Sequence, residues 1–197
     1  MQKLFLIVAL ALALPVIAQA QEAPRVEVFG GYSYMRLEDS GIAGQDRDLN
    51  GYNVSGAFTV LKKSLAIKAD VSGHFGNLAN ILPTSTDLRQ DMFLFGPQFT
   101  VRKSQRIQPF AHALFGFARQ KISNDVMFDD ITDTAFAFAI GGGVDIKALS
   151  SKLSLRMFQA DYVRTQLGLL SGVGSDSTGS NNLRISTGLV VRFGKIE

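Results

Sequence analysis

Leu183–Phe193, LRISTGLVVRF, is the stretch whose reading decides the fold. Leu183, Ile185, Thr187, Leu189, Val191 and Phe193 fall on one face of an extended chain. Arg184, Ser186, Gly188 and Arg192 fall on the other, with Val190 the exception. Alternation with period two is the mark of a β-strand with two different environments on its faces. Four residues, Gly194 to Glu197, follow the terminal aromatic.

The opposite end of the chain sets the compartment. Lys3 precedes an unbroken apolar run from Leu4 to Leu14, then Pro15 and the small-residue tripeptide Ala18-Gln19-Ala20. This is the pattern of a secretory signal peptide, residues 1–20, cleaved after Ala20. The run is shorter than the roughly 20 apolar residues needed to span a bilayer as a helix. The sequence has no cysteine, which excludes a lipid-modified N-terminus, disulfides and thiol chemistry. Residues 21–197 are expected to form one domain of about 177 residues. Without Lys3 the chain holds 19 bases against 17 acids, dispersed along its length. That balance gives no basis for a nucleic-acid partner.

After Pro24 no long amphipathic helix can be drawn; what recurs is an alternating segment of about 10 to 13 residues. Eight such segments run approximately 25–36, 49–60, 64–75, 88–102, 107–120, 133–146, 152–164 and 182–193. The connections Leu61 to Lys63, Lys103 to Arg106 and Lys147 to Ser151 are short. Those from Leu37 to Asp48, Gly76 to Asp87, Lys121 to Thr132 and Thr165 to Asn181 are long. Alternation of short and long connections fits an all-β, eight-stranded, antiparallel up-and-down barrel.

Most segments hold one phase. Tyr52, Val54, Gly56, Phe58 and Val60 oppose Asn53, Ser55, Ala57 and Thr59, and Leu65, Ile67, Ala69, Val71 and Phe75 oppose Ala66, Lys68, Asp70, Ser72 and His74. In the fourth segment Phe93, Phe95, Phe99 and Val101 oppose Gln98, Thr100 and Arg102, while Met92 and Leu94 intrude on the polar side. Pro97 there predicts a bulge or an interrupted pairing. In the fifth, Ala111, Ala113, Phe115 and Phe117 oppose Gln108, Phe110, His112, Leu114 and Gly116. The sixth sets Phe136, Phe138, Ile140, Val144 and Ile146 against Ala135, Ala137, Ala139, Gly141, Gly143 and Asp145. In the seventh, Arg156 and Asp161 have opposite parity, so a bulge near Phe158 or Gln159 is required to turn both inward.

Alternation alone does not separate a membrane barrel, apolar outside, from a soluble ligand-carrying barrel, apolar inside. The charges decide. Lys68, Asp70, Asp145, Arg184 and Arg192 lie well within strands on the polar face, which an apolar ligand cavity would not favour; with Arg102, Arg156 and Asp161 they make eight candidate lumen charges. Inside a membrane barrel they can pair as a lumen network. With a periplasmic N-terminus, Tyr32, Tyr34, Tyr52, Phe75, Phe93, Phe117, Phe136 and Tyr162 would form the outer aromatic belt, and Phe58, Phe99 and Phe193 the inner one. Eight strands of about ten residues, tilted by about 45°, cover the hydrocarbon core. They enclose a space that side chains fill.

With these features assembled, residues Arg25 to Phe193 resemble the small eight-stranded bacterial outer-membrane β-barrels of the OmpA/OmpX type, the outer-membrane protein β-barrel domain. Ser186, Gly188, Val191 and Phe193 stand where that group carries the C-terminal strand signal read by the barrel-assembly machinery. The departures are the four-residue tail and the absence of Trp from the belts. The resemblance implies location in the bacterial outer membrane and contact with its lipid. It also implies a structural or surface-interaction role through the long loops, with an extracellular ligand that the loop sequences do not name. The alternatives are a narrow ion or solute channel and a lipid-modifying hydrolase at the rim.

Candidate chemistry is sparse, and no enzymatic activity, cofactor or metal is expected. His74 and His112 are the two histidines. His74, near the outer end of the third segment with Ser72 at i−2, is the candidate base of a rim hydrolase, and its bland role is a rim side chain bonded to a neighbouring strand. His112 reads as a lumen polar residue. Gly141-Gly142-Gly143 lacks the Lys-Ser/Thr of a phosphate loop. Asp46, Asp48 and Asn50 have the spacing of calcium ligands without a closing Glu, and read as a solvated loop.

Overall fold

A computed structural model describes residues 24–40, 45–61, 64–77, 86–104, 106–124, 131–147, 152–166 and 180–194. The expected signal peptide lies outside them. Eight strands follow in chain order: β1 (Val26–Ser40), β2 (Gln45–Leu61), β3 (Leu65–Asn77), β4 (Thr86–Thr100), β5 (Ile107–Asn124), β6 (Ile131–Lys147), β7 (Leu153–Thr165) and β8 (Ser180–Phe193). Each pairs antiparallel with the next, and β8 pairs with β1 to close the barrel. Closure provides a ladder partner for both edges of every strand, as a sheet in hydrocarbon requires.

The strands run further than the alternation at the long-connection end. β1 reaches Ser40 and β2 begins at Gln45, so most of the connection expected from Leu37 to Asp48 is strand. The other long connections are shortened in the same way, β4 starting at Thr86 and β5 continuing to Asn124. Backbone pairing needs no apolar face, so the ladder continues after the hydrophobic pattern has ended. The cluster Asp46, Asp48 and Asn50 therefore lies in β2 rather than in a loop.

Following cross-strand partners from Val28 through Gly56, Ala69, Phe95, Phe115, Phe138, Arg164 and Asn181 leads back to β1 at Glu38, ten residues along. This stagger tilts eight strands by roughly 40° from the axis. At about 3.3 Å per residue, the eleven residues from Leu183 to Phe193 then cover about 27 Å, the depth of a hydrocarbon core.

The two faces separate cleanly. Phe58, Phe93, Phe95, Phe115, Phe117, Phe136, Ile140 and Leu189 are exposed outward, whereas Lys68, His74, Asp161 and Arg184 are fully buried inside. In β8 the opening stretch behaves as its pattern requires, and the exception Val190 is buried in the lumen. The fifth segment's phase holds, with Gln108, Phe110, His112 and Leu114 inward. In β7 Met157 and Phe158 are both exposed, and the register with β8 shifts between Arg156 and Gln159. That bulge brings Arg156 and Asp161 to the same side. In β4 the pairing with β5 passes over Gly96 and Pro97 and resumes at Gln98 opposite His112 in unchanged register. Pro97 thus interrupts the ladder without producing a bulge.

Candidate functional site

The lumen brings all eight sequence-derived charges into one cluster, entered from the short-turn end. Glu27 Oε1 accepts from Arg102 Nη2 at 3.0 Å and from Arg192 Nε at 3.0 Å. Arg192 also reaches Asp145 Oδ2 at 3.2 Å and donates to Ser154 Oγ. Asp145 is clamped on its other side by Arg156, whose Nε lies 2.8 Å from Oδ1 and Nη2 3.2 Å from Oδ2. The Arg156 guanidinium lies between two rings, 4.3 Å from the centroid of Phe29 and 4.2 Å from that of Phe110. Cation–π attraction strengthens on desolvation, and Arg156 is buried.

Gln159 relays the network upward. Its Oε1 accepts from Arg156 Nη1 at 2.7 Å and its Nε2 donates to Asp161 Oδ2 at 2.7 Å. Asp161 Oδ2 also accepts from Arg184 Nε and Nη2, at 2.9 and 2.7 Å, and Oδ1 lies 2.9 Å from His112 Nε2. Arg184 Nη1 donates to Asp70 Oδ1 at 2.8 Å and to Ser72 Oγ at 3.0 Å. Lys68 Nζ completes the set, 3.3 Å from Asp70 Oδ2. Each carboxylate thus faces at least one cation. The desolvation of so many buried charges is offset only by this degree of mutual pairing.

Glu27 and Gln159 are the members that sequence reading missed. Glu27 shares parity with Phe29 and Ser33, and that phase was its only signal. Gln159 carries no charge, and the bulge beside it conceals its phase. Gly141 is as necessary as the charges. A Cβ there would collide with Asp161 Oδ1 and the Ala160 carbonyl, so only glycine leaves space for the carboxylate.

Beyond this network, toward the long connections, Met35, Leu37, Leu49, Leu88, Met92, Leu94, Leu114 and Val163 pack with Ala118, Ala137 and Ala139 into an apolar layer across the lumen. Met92 and Leu94, which blurred the fourth segment, belong to it. His74 is on the inward face, as its parity implied, but is fully buried in the lumen rather than a side chain at the rim. Its partner is Ser33, with Oγ 2.9 Å from Nε2, and Ser33 in turn meets Ser186 Oγ at 2.9 Å. Ser72 is instead held by Arg184. The cause is that β3 continues past His74 to Asn77, so the lumen does not end there. His112 is a lumen polar residue bonded to Asp161, as its position implied.

On the outside, Tyr32, Tyr52, Phe75, Phe93, Phe117, Phe136 and Tyr162 are exposed near the long-connection end, and Phe58, Phe99 and Phe193 near the short turns. Tyr34 is half-buried on the same outward face. Three hydroxyls point away from the apolar band. Tyr34 donates to Asp48 Oδ1 at 2.5 Å, Tyr162 to Asn181 Oδ1 at 2.7 Å, and Tyr32 to Asn50 Oδ1. An apolar ring with a bonded polar tip suits a membrane–water boundary. Asp48 and Asn50 thus serve the tyrosines. Among the described residues no cluster of side chains could hold a metal ion.

The arrangement, an apolar exterior around a charged interior, is that of a membrane barrel. The sequence matches the outer membrane protein beta-barrel domain over residues 6–193, and the chain belongs to that family. It is a protein of the bacterial outer membrane, embedded in its lipid. Among solved structures it is similar to Neisserial surface protein A, with TM-score 0.60 and 13% identity over 88% of this chain and 100% of that one. It is also similar to Ail, the attachment invasion locus protein of Yersinia pestis, with TM-score 0.56 and 13% identity over 85% and 99%. OprG from Pseudomonas aeruginosa matches with TM-score 0.52 and 11% identity over 88% and 98%. At these identities the likeness concerns the fold. No curated protein sequence matches the chain.

Proposed function

We propose that this barrel is a surface-interaction protein, a rigid scaffold whose long connections meet an extracellular ligand while its lumen stays shut. The observation that carries this reading is the double filling of the lumen, a paired charge network below and an apolar layer above. This filling supports a lumen without a through route, which leaves for function the end where the long connections join, and binding commonly resides on loops held by a rigid frame. The barrel reaches the membrane through the assembly machinery, which engages β8 by its alternating face and Phe193. The reading assigns it no catalytic role, and the burial of His74, with Nε2 2.9 Å from Ser33 Oγ, supports that over a rim hydrolase.

Two measurements test this. Purified full-length protein in planar bilayers is expected to be electrically silent; discrete conductance steps that change in Arg184→Gln or Asp145→Asn would replace this reading by the channel. Cells displaying the protein are expected to bind immobilised extracellular-matrix proteins or glycans. That binding should be lost when residues 167–179 are replaced by a short Gly-Ser turn in a barrel that still shows heat-modifiable migration. Equal binding by the replaced variant would remove the loop assignment.

A further inference from the structure

The ends of this barrel carry opposite charge. The three short connections read LKKS at 61–64, VRKSQRI at 101–107 and KALSSKL at 147–153, with no carboxylate and seven cations, of which Arg102 turns into the lumen to Glu27 and six remain for the rim. Between the strands at the other end, residues 41–44, 78–85, 125–130 and 167–179 carry Asp125, Asp129, Asp130 and Asp176 and no cation. At the short-turn end the described carboxylates Glu27 and Asp145 are buried in the lumen and paired there. Among the described residues, the short-turn rim is therefore basic.

The position of these cations is set by the fold. The lipid-facing band ends at Leu61, Phe99, Ile107 and Phe193, and the charges begin within a few residues of it. Lys103 and Arg106 are exposed, in a turn where Ser104 Oγ accepts the backbone N–H of Arg106 at 3.2 Å and of Ile107 at 3.3 Å. Arg25 lies against the outward ring of Phe58, 5.4 Å from its centroid, and its backbone N–H donates to the Phe193 carbonyl at 3.0 Å. The guanidinium is thereby fixed on the lipid-facing side, at the level where hydrocarbon gives way to headgroups.

We infer that this rim binds anionic phospholipid headgroups of the periplasmic leaflet, through Arg25, Lys103 and Arg106. The rim's continuity with the lipid-facing band favours a headgroup phosphate over a soluble polyanion, because the cations border the bilayer. Juxtamembrane cations attract anionic lipid roughly in proportion to their number. The inference needs the short turns to face the periplasm.

The test uses the full-length barrel in vesicles of phosphatidylcholine doped with phosphatidylglycerol, extracted mildly, with retained lipid counted by native mass spectrometry. Wild type is expected to retain phosphatidylglycerol over phosphatidylcholine, with the preference reduced by salt. Arg25→Gln, Lys103→Gln and Arg106→Gln should each lower it about five-fold. Arg119→Gln/Lys121→Gln, at the far end of β5, should leave it unchanged, and heat-modifiable migration verifies folding in every case. Equal retention of the two lipids, or an equal loss in the β5 variant, overturns the proposal. So does charge-dependent binding to isolated peptidoglycan sacculi without lipid preference, which would assign the rim to the cell wall. Labelling of Lys103→Cys by an impermeant maleimide on intact cells would overturn the orientation separately.

Discussion

Arg184 shows what a single side chain does in this molecule. It is fully buried and donates to two carboxylates from different parts of the sheet, Asp70 on β3 and Asp161 on β7. Replacement by Met would remove the Arg184 cation from buried Asp161 and leave Asp70 paired with Lys68. Removing one partner of a buried ion pair costs about 3–5 kcal/mol. Arg184→Met is therefore expected to lose stability on that order in urea unfolding from lipid vesicles. Arg184→Met/Asp161→Leu should recover much of the loss, since Asp70 retains Lys68 at 3.3 Å. A double variant as unstable as the single would mean that the packing of Arg184, rather than its charge, is what stabilises the barrel.

At the scale of the strand, register is the controlled quantity. Met157 and Phe158 form a bulge in β7 that gives Arg156 and Gln159 the same inward direction. Deleting Phe158 keeps both on the inner face and makes the pairing regular, so the variant is expected to insert and migrate as a folded barrel. Deleting Ala160 forces either Asp161 outward into lipid or Phe158 into the place of Gln159, and folded yield should fall sharply. Close approach limits β8 in a similar way. A Cβ at Gly188 would meet the Gly30 carbonyl and Gly31 Cα across the closing seam, while one at Gly30 meets nothing within 4 Å. Gly188→Val should abolish heat-modifiable migration, and Gly30→Ala should leave it intact.

The whole molecule is held together by ring closure. Val26 pairs with Phe193, so the last ladder joins residues from opposite ends of the chain. Contacts so distant in sequence form slowly, because the entropy of closing the loop is lost before pairing compensates. Truncation before Ser180 removes β8 and leaves edges on β1 and β7 with no partner in hydrocarbon. That truncated chain is expected to lose heat-modifiable migration and outer-membrane recovery together; retention of either would mean that seven strands can close by themselves.

Much of this was legible from alternation alone. Period two locates eight strands, and the parity conflict between Arg156 and Asp161 by itself points to the bulge in β7. Parity, with that bulge allowed for, also puts the eight charges on one face, because in a strand the direction of a side chain is a local property. What alternation could not supply was the pairing among them. Glu27 meets Arg192 across the β1–β8 seam, and Arg184 meets Asp70 across the lumen. Such contacts depend on stagger and closure, which belong to the sheet and not to any segment. The reach of β1 to Ser40, the burial of His74 and the conversion of Met92 and Leu94 into part of an apolar layer were likewise decided by the tertiary structure. Parity gives the face of His74, Met92 and Leu94, but how far the ladder runs and what packs against them in the lumen is set by the closed sheet. The sequence by itself determined that the chain forms a barrel, and which residues face inward; closure of that barrel decided which of them touch, because contact across a lumen is a property of the ring.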